Sequence, residues 1–178
     1  MKLSAPLKGM EKHTIFSFTK LQLENIFSAV SKNKLTGLIR AISATEGVRR
    51  IRLSSLEPRI ITEDFVNELS RIPQLCPHFH LSLQSGSDSV LKRMNRHYTT
   101  EEYFAGVELL RKYFEYPAVT TDIITGFPGE TVGEFDETVD FVNRVGFYET
   151  HIFKYSRRKG TAADRMPGQH TEAVKHER

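Results

Sequence analysis

Four short polar clusters carry the chemistry this sequence offers. They are Ser54, Ser55 and Glu57; Gln84, Ser85, Ser87 and Asp88; Asp122 with the run Gly126-Phe-Pro-Gly-Glu130; and Tyr155, Ser156, Arg157 and Arg158. Carboxylates and amides can fix the hydroxyls and amines of a polar small molecule, and a guanidinium can pair with its carboxylate. Asp122 is the most informative, because it interrupts an apolar, β-branched stretch, and a buried carboxylate is costly without a hydrogen-bonding partner. Each cluster also has a structural reading. Glu57 before Pro58 could cap a turn, Gln84 to Asp88 could be a helix N-cap loop, Gly126 and Gly129 could serve a tight turn, and Arg96 could be a solvated helix end.

Other chemistries find less support. His78, His80 and His97 have no carboxylate or thiolate set at neighbouring spacing, so no metal site is expected. The single cysteine, Cys76, reads as a connector residue with no visible histidine partner. Neither a Walker-type phosphate loop nor a GxGxxG run is present.

The clusters fall at the ends of alternating elements. Leu38, Ile39 and Ile42 suggest a helix face ending by Gly47. Residues 48–53 alternate apolar and basic and read as a strand. Thr62 can cap a helix facing inward through Phe65, Val66, Leu69 and Ile72. Phe79 to Leu83 reads as a second strand, and a short helix holds Val90, Leu91 and Met94. Thr99 with Glu102 has capping-box spacing ahead of Tyr103, Val107, Leu110 and Phe114. Residues 119–125 read as a third strand. Thr131 with Glu134 is another capping box, before Phe135, Val139 and Val142, and Tyr148 to Tyr155 is a fourth strand. The residues after Gly160 read as a polar loop with a charged end. Such alternation predicts an α/β fold with a parallel sheet and helical crossovers, in which ligands gather at the carboxyl ends of the strands.

The 178 residues suit one domain. Twenty-five Lys and Arg against 22 Asp and Glu give a net charge of +3, a bias that permits an RNA partner without arguing for one. No apolar run approaches the roughly 20 residues of a membrane helix, and no membrane association is expected. With one cysteine, no internal disulfide can form, and a cytoplasmic protein is expected. Residues 1–35 show a less regular pattern; Ile15, Phe16, Phe18 and then Leu21, Leu23, Ile26, Phe27 and Val30 suggest a strand and a short helix.

Taken in order, Arg52-Leu-Ser-Ser-Leu-Glu-Pro58, His80-Leu-Ser-Leu-Gln-Ser-Gly-Ser-Asp88, Leu91-Lys-Arg-Met-Asn-Arg-His-Tyr-Thr99, Asp122-Ile-Ile-Thr-Gly-Phe-Pro-Gly-Glu-Thr131 and Tyr155-Ser-Arg-Arg-Lys-Gly-Thr161 resemble the radical S-adenosylmethionine core of the tRNA methylthiotransferases, most of all the branch acting on threonylcarbamoyladenosine. The resemblance implies a partial (β/α) barrel, later strands only, over 36–165, with an unmatched segment 1–35 and a polar tail 166–178. It implies S-adenosylmethionine as cofactor, tRNA as partner of the complete enzyme, and transfer of a methylthio group to a modified adenosine beside the anticodon. By resemblance, Glu57 and Gln84 lie beside the nucleoside or amino end of the cofactor, and Arg96 pairs with its carboxylate. Asp122 accepts from the ribose hydroxyls, Gly126, Phe127 and Pro128 let the backbone approach the adenine, and Ser156 and Arg158 stand at the rim.

The family holds a [4Fe–4S] cluster on three cysteines spaced CxxxCxxC, a segment this sequence lacks. Its first domain and its C-terminal RNA-binding domain are also unmatched. The chain is therefore expected to be a fragment that is inactive alone, with the missing half of the barrel as a possible partner and residues 1–35 covering the open edge. Two alternatives are a non-catalytic module that binds S-adenosylmethionine or a protein, and part of a ribosomal-protein methylthiotransferase. Arg157, Arg158 and Lys159 offer either an RNA contact or a solvated rim.

Overall fold

A computed structural model describes residues 32–178, with side chains from Leu35 onward; the strand and helix expected before Val30 lie outside the described residues. The elements are α1 (Lys32–Ser43), α2 (Glu63–Ser70), β1 (His78–His80), α3 (Asp88–Arg93), α4 (Thr100–Tyr113), β2 (Ala118–Thr125), α5 (Val132–Val145), β3 (Glu149–Lys154) and α6 (Glu172–Glu177), with single 3-10 turns at Pro58–Ile60 and Ala163–Arg165.

The sheet is parallel, in the order β1-β2-β3. Residues 51–56 run beside β1 in place of the expected first strand, with two isolated parallel bridges to the residues on either side of β1, Ile51 to Leu75 and Leu56 to Leu81. Five residues separate these bridges on one segment and six on the other. The extra residue breaks the ladder, as a bulge does, which is why 48–53 does not form a regular strand. Among the described residues the sheet is open, and the architecture is a partial (β/α) barrel.

Local signals explain most of the helices. Thr62 accepts from the Phe65 amide, and both expected capping boxes form, Thr99 with Glu102 and Thr131 with Glu134; each such cap contributes about 1 kcal/mol. Phe65, Val66 and Leu69 of α2 and Tyr103, Val107 and Leu110 of α4 pack on Phe79, Leu81, Val119 and Ile123 in one core. Two expected helix faces are corrected. In α1, Leu35 and Ile39 are buried while Leu38 is exposed. In α5 the inner face is Thr138, Phe141 and Val145, and Val139 faces solvent. The α5 shift follows from the loop beneath it, where Gly86 sits under Thr138 and Phe141.

The segment after Gly160 also differs from the expected loop. Thr171 caps α6, whose Lys175 is buried and whose following residue, Arg178, donates to Glu130 Oε2 at 2.7 Å. No described helix is long and apolar enough to cross a membrane.

Candidate functional site

The sheet has two unlike faces. Val119 and Ile123 of β2 point to the helices, and the alternation of a strand sends Thr120, Asp122 and Ile124 to the other side. Two adjoining clefts lie there. The larger, about 540 Å³, is lined by Gln84, Asp122, Ile124, residues 153–156, Arg158, Thr161 and Ala163. Ligand pockets span roughly 300–1,000 Å³. The smaller, about 340 Å³, includes Arg52, His80, Asp122 and His151.

The carboxyl end of β1 is fixed by buried hydroxyls. Tyr98 donates to the carbonyls of Ser82 and Leu83, both at 2.8 Å, and Tyr103 to that of Leu81 at 2.9 Å. Thr121 Oγ1 accepts from the Leu83 amide and donates to the Leu81 carbonyl. Burial raises the Tyr98 hydroxyl to about 12 and pushes Tyr103 above its ordinary range, so both remain donors at neutral pH. Beyond them the chain turns at Gln84, whose φ of 74° is left-handed. Such a backbone costs of order 1–3 kcal/mol. It is held by two bonds to β2, from the Gln84 amide to the Asp122 carbonyl and from the Ile124 amide to the Gln84 carbonyl, each 2.8 Å.

The next residues are structural. Ser85 Oγ and the Gly86 amide both meet Thr138 Oγ1 at 3.1 Å, and Ser87 donates to Glu137. A Cβ on Gly86 would lie 2.8 Å from Phe141 Cβ and Thr138 Cα, so only glycine permits this approach of loop and helix.

Of the nine expected site residues, Gln84, Asp122, Ser156 and Arg158 share the larger cleft. Glu57 and Arg96 do not line it: Glu57 lies 3.9 Å from Arg59, and both Glu57 and Arg96 influence the Tyr98 hydroxyl. Gly126, Phe127 and Pro128 do not line it either. All three are buried. The Gly126 amide donates to Glu130 Oε2, and Lys175 Cγ lies 2.6 Å from where a Gly126 Cβ would stand. α6 covers this turn.

Arg157 is held by Asp164 through its Nε at 2.5 Å and its terminal nitrogen on the carbonyl at 2.9 Å. The guanidinium keeps the Asp164 carboxyl below its ordinary range.

Three features escaped the sequence reading. The Tyr155 hydroxyl is buried with no hydrogen-bond partner, in a residue that lines the larger cleft and meets the Phe127 ring edge-on at 5.3 Å. The α6 cover is the second. The third is His151, which joins His80 and Asp122: Asp122 Oδ2 lies 3.3 Å from His80 Nε2 and Oδ1 lies 3.3 Å from His151 Nδ1. The set spans separate strands, so neighbouring spacing could not reveal it. The two strand registers bring it together, β2–β3 placing Asp122 opposite His151 and β1–β2 placing His80 opposite Thr120.

An open parallel sheet with a polar cleft at its carboxyl ends is the ligand-binding arrangement of α/β proteins. The chain belongs to the radical SAM superfamily, which its residues 22–142 match. It is 44% identical over 141 residues to a tRNA-2-methylthio-N(6)-dimethylallyladenosine synthase of Caldicellulosiruptor saccharolyticus, covering 79% of this chain and 30% of that protein. It is 48% identical over 133 residues to the threonylcarbamoyladenosine tRNA methylthiotransferase MtaB of Bacillus subtilis, covering 75% and 30%. The chain thus spans about a third or less of these curated relatives. Among solved structures, the radical SAM enzyme HemN of Escherichia coli, a coproporphyrinogen III oxidase, superposes with a TM-score of 0.68 at 19% identity, covering 85% of this chain and 36% of that one.

The residues present suit the superfamily's two cofactors unequally. The cleft offers an amide, a carboxylate, a guanidinium and the Ser156 hydroxyl, a donor and acceptor set that fits S-adenosylmethionine. An iron–sulfur cluster does not fit: the sole thiol, Cys76, accepts from Arg50 Nε at 3.3 Å and lines neither cleft.

Proposed function

We propose that this chain is the S-adenosylmethionine-holding part of a tRNA methylthiotransferase core. In the complete enzyme the substrate is a modified adenosine beside the anticodon, of the threonylcarbamoyl type, and the setting is the cytoplasm. The observation that carries this reading is the larger cleft, on which Gln84, Asp122, Ser156 and Arg158 converge. The family motifs and the 48% identity to the Bacillus subtilis MtaB support the choice of branch.

When bound, S-adenosylmethionine supplies the radical chemistry that gives the superfamily its name. The chain's own residues bind and orient it. Asp122 accepts from the ribose hydroxyls, the Gln84 amide meets polar atoms of the nucleoside, and Ser156 and Arg158 close the rim. Glu57, Arg96 and the Gly126 turn belong to the same reading, and they come into reach only where the cofactor extends beyond the cleft. Since Cys76 is the sole thiol of the 178 residues, the cluster is held by thiolates outside them, and this chain alone is inactive. That favours, as a second reading, a binding module that works with the rest of the barrel, its proposed protein partner alongside tRNA.

Calorimetric titration of S-adenosylmethionine into the metal-free chain tests the reading, with Gln84→Ala and Asp122→Asn as controls. Saturable binding weakened by both substitutions supports it. No binding to a chain shown to be folded by circular dichroism overturns the cofactor half of the proposal.

A further inference from the structure

The smaller cleft has its own chemistry. His80, Asp122 and His151 offer one ligand atom each, and these atoms all lie within 4.8 Å of one another. Asp122 sits directly across from His151 in the β2–β3 pairing, and His80 pairs with Thr120, two residues back on the same face. Directly opposed and diagonal positions on one face are the places where cross-strand side chains meet. The two imidazoles lie nearly parallel, with ring centres 5.8 Å apart and planes 22° from one another, and the carboxylate reaches both.

We propose that His80 Nε2, Asp122 and His151 Nδ1 form a binding site for a divalent transition-metal ion of the zinc type. Three observations favour an ion over a plain hydrogen-bonded set. First, one ligand atom from each residue lies within 4.8 Å of the others, a spread that a small shift of the exposed His151 ring brings to the roughly 3.4 Å between ligand atoms of a tetrahedral zinc.

Second, the far nitrogen of each imidazole already faces an oxygen. His80 Nδ1 lies 2.9 Å from Thr120 Oγ1, and His151 Nε2 lies 3.6 Å from Glu149 Oε1. Metal-bound histidines usually present their other N–H to an oxygen, which fixes the tautomer and frees the inner lone pair for the metal. Thr120 Oγ1, 2.9 Å from His80 Nδ1, can accept its proton, and that tautomer frees the Nε2 lone pair for a cation beside the Asp122 carboxylate.

Third, the set is accessible, the side chains of His80, Asp122 and His151 being 11%, 30% and 44% exposed. Two imidazoles and one carboxylate suit zinc and its neighbours in the first transition row. With three protein ligands the fourth position stays open to water or to an oxygen of a bound molecule. His78 is not part of the set. One of its ring nitrogens accepts from Arg52, whose nitrogens stand 3.2 Å from Nδ1 and 2.7 Å from Nε2, and burial and that guanidinium together hold it below its ordinary range.

The test is titration of Zn²⁺ into the full chain by calorimetry, with Co²⁺ absorption as a direct readout of coordination. One ion per chain and intense visible bands of tetrahedral Co²⁺ are expected. His151→Ala, at an exposed position that leaves the core intact, abolishes both. Glu149→Gln, which removes the outer carboxylate, weakens binding about 10–100-fold, while His97→Ala leaves it unchanged. Unaltered affinity in the folded His151→Ala chain, or no uptake by the wild type, overturns the proposal. No S-adenosylmethionine enters this experiment, so its failure leaves the reading of the larger cleft standing, and failure of that reading leaves this one.

Discussion

Glu134 holds Arg93 through both terminal guanidinium nitrogens, at 2.8 and 2.7 Å, while the same carboxylate accepts from the Thr131 amide that begins α5. One side chain thereby joins α3 to the start of α5, on either side of the loop that follows Gln84. The Arg93 guanidinium, with Ser89 and the Thr131 amide assisting, lowers the Glu134 carboxyl from 4.5 to about 2.

A lowered carboxyl stabilises the fold above its unfolded value and ceases to do so as pH falls through its folded value. The contribution of Glu134 is therefore full above about pH 4.5 and lost on the way down to about pH 2. It is on the order of 2 kcal/mol after allowance for solvent screening. Urea midpoints of the wild type and Glu134→Gln are expected to differ at pH 7 and to converge toward pH 2.

Gly86→Ala is expected to destabilise by about 1–3 kcal/mol, because the added methyl meets Phe141 and the α5 backbone at 2.8 Å. Gly133, in the first turn of α5, has nothing within 4 Å of a built Cβ. Gly133→Ala should gain about 0.5–1 kcal/mol. Thermal melts of the two variants should therefore move in opposite directions.

Gln84→Gly separates backbone strain from side-chain function. The left-handed φ of 74° suits glycine, so stability should stay within about 1 kcal/mol of wild type. The lost amide should nonetheless weaken S-adenosylmethionine binding in calorimetry. Unchanged affinity would remove Gln84 from the cofactor site.

Arg178→Met leaves the Glu130 carboxylate buried and unpaired, the Glu130 side chain being 1% exposed. Breaking a buried pair costs about 3–5 kcal/mol. Release of α6 relieves part of that cost, so limited proteolysis should cut between residues 166 and 178 sooner than in wild type. Adding Glu130→Gln to the variant should restore much of the resistance.

The parts legible from sequence were those set by local chemistry. The capping boxes at Thr99 and Thr131, the Thr62 cap, the α2 and α4 faces and the β2 and β3 strands follow from neighbouring residues alone. What failed to show depends on register or on distant packing. The ladder at 51–56 is broken by a bulge no alternation pattern reveals. Val139 reads as inward until Gly86 draws Thr138 and Phe141 down. α6 is polar in composition and docks through an ion pair and a buried lysine. In the site, the polar character of Gln84, Asp122, Ser156 and Arg158 was readable, and the fold sets all four on one cleft. His151 and Tyr155 became informative only through what stands beside them, a carboxylate across the ladder and an empty hydrogen-bonding position.

The pairing of Arg178 with Glu130 joins positions 48 apart in the chain. It closes α5, β3 and the far wall of the larger cleft into one ring of polypeptide, pinned also where the Tyr155 amide meets the Thr125 carbonyl at 2.8 Å. Within such a ring, segments cannot open independently. Amide hydrogens at Gly126, Tyr155 and Lys175 should exchange with a shared opening rate, and a molecule seated in the cleft should slow all three together. Opening of the cleft wall is then coupled to release of the Arg178–Glu130 pair.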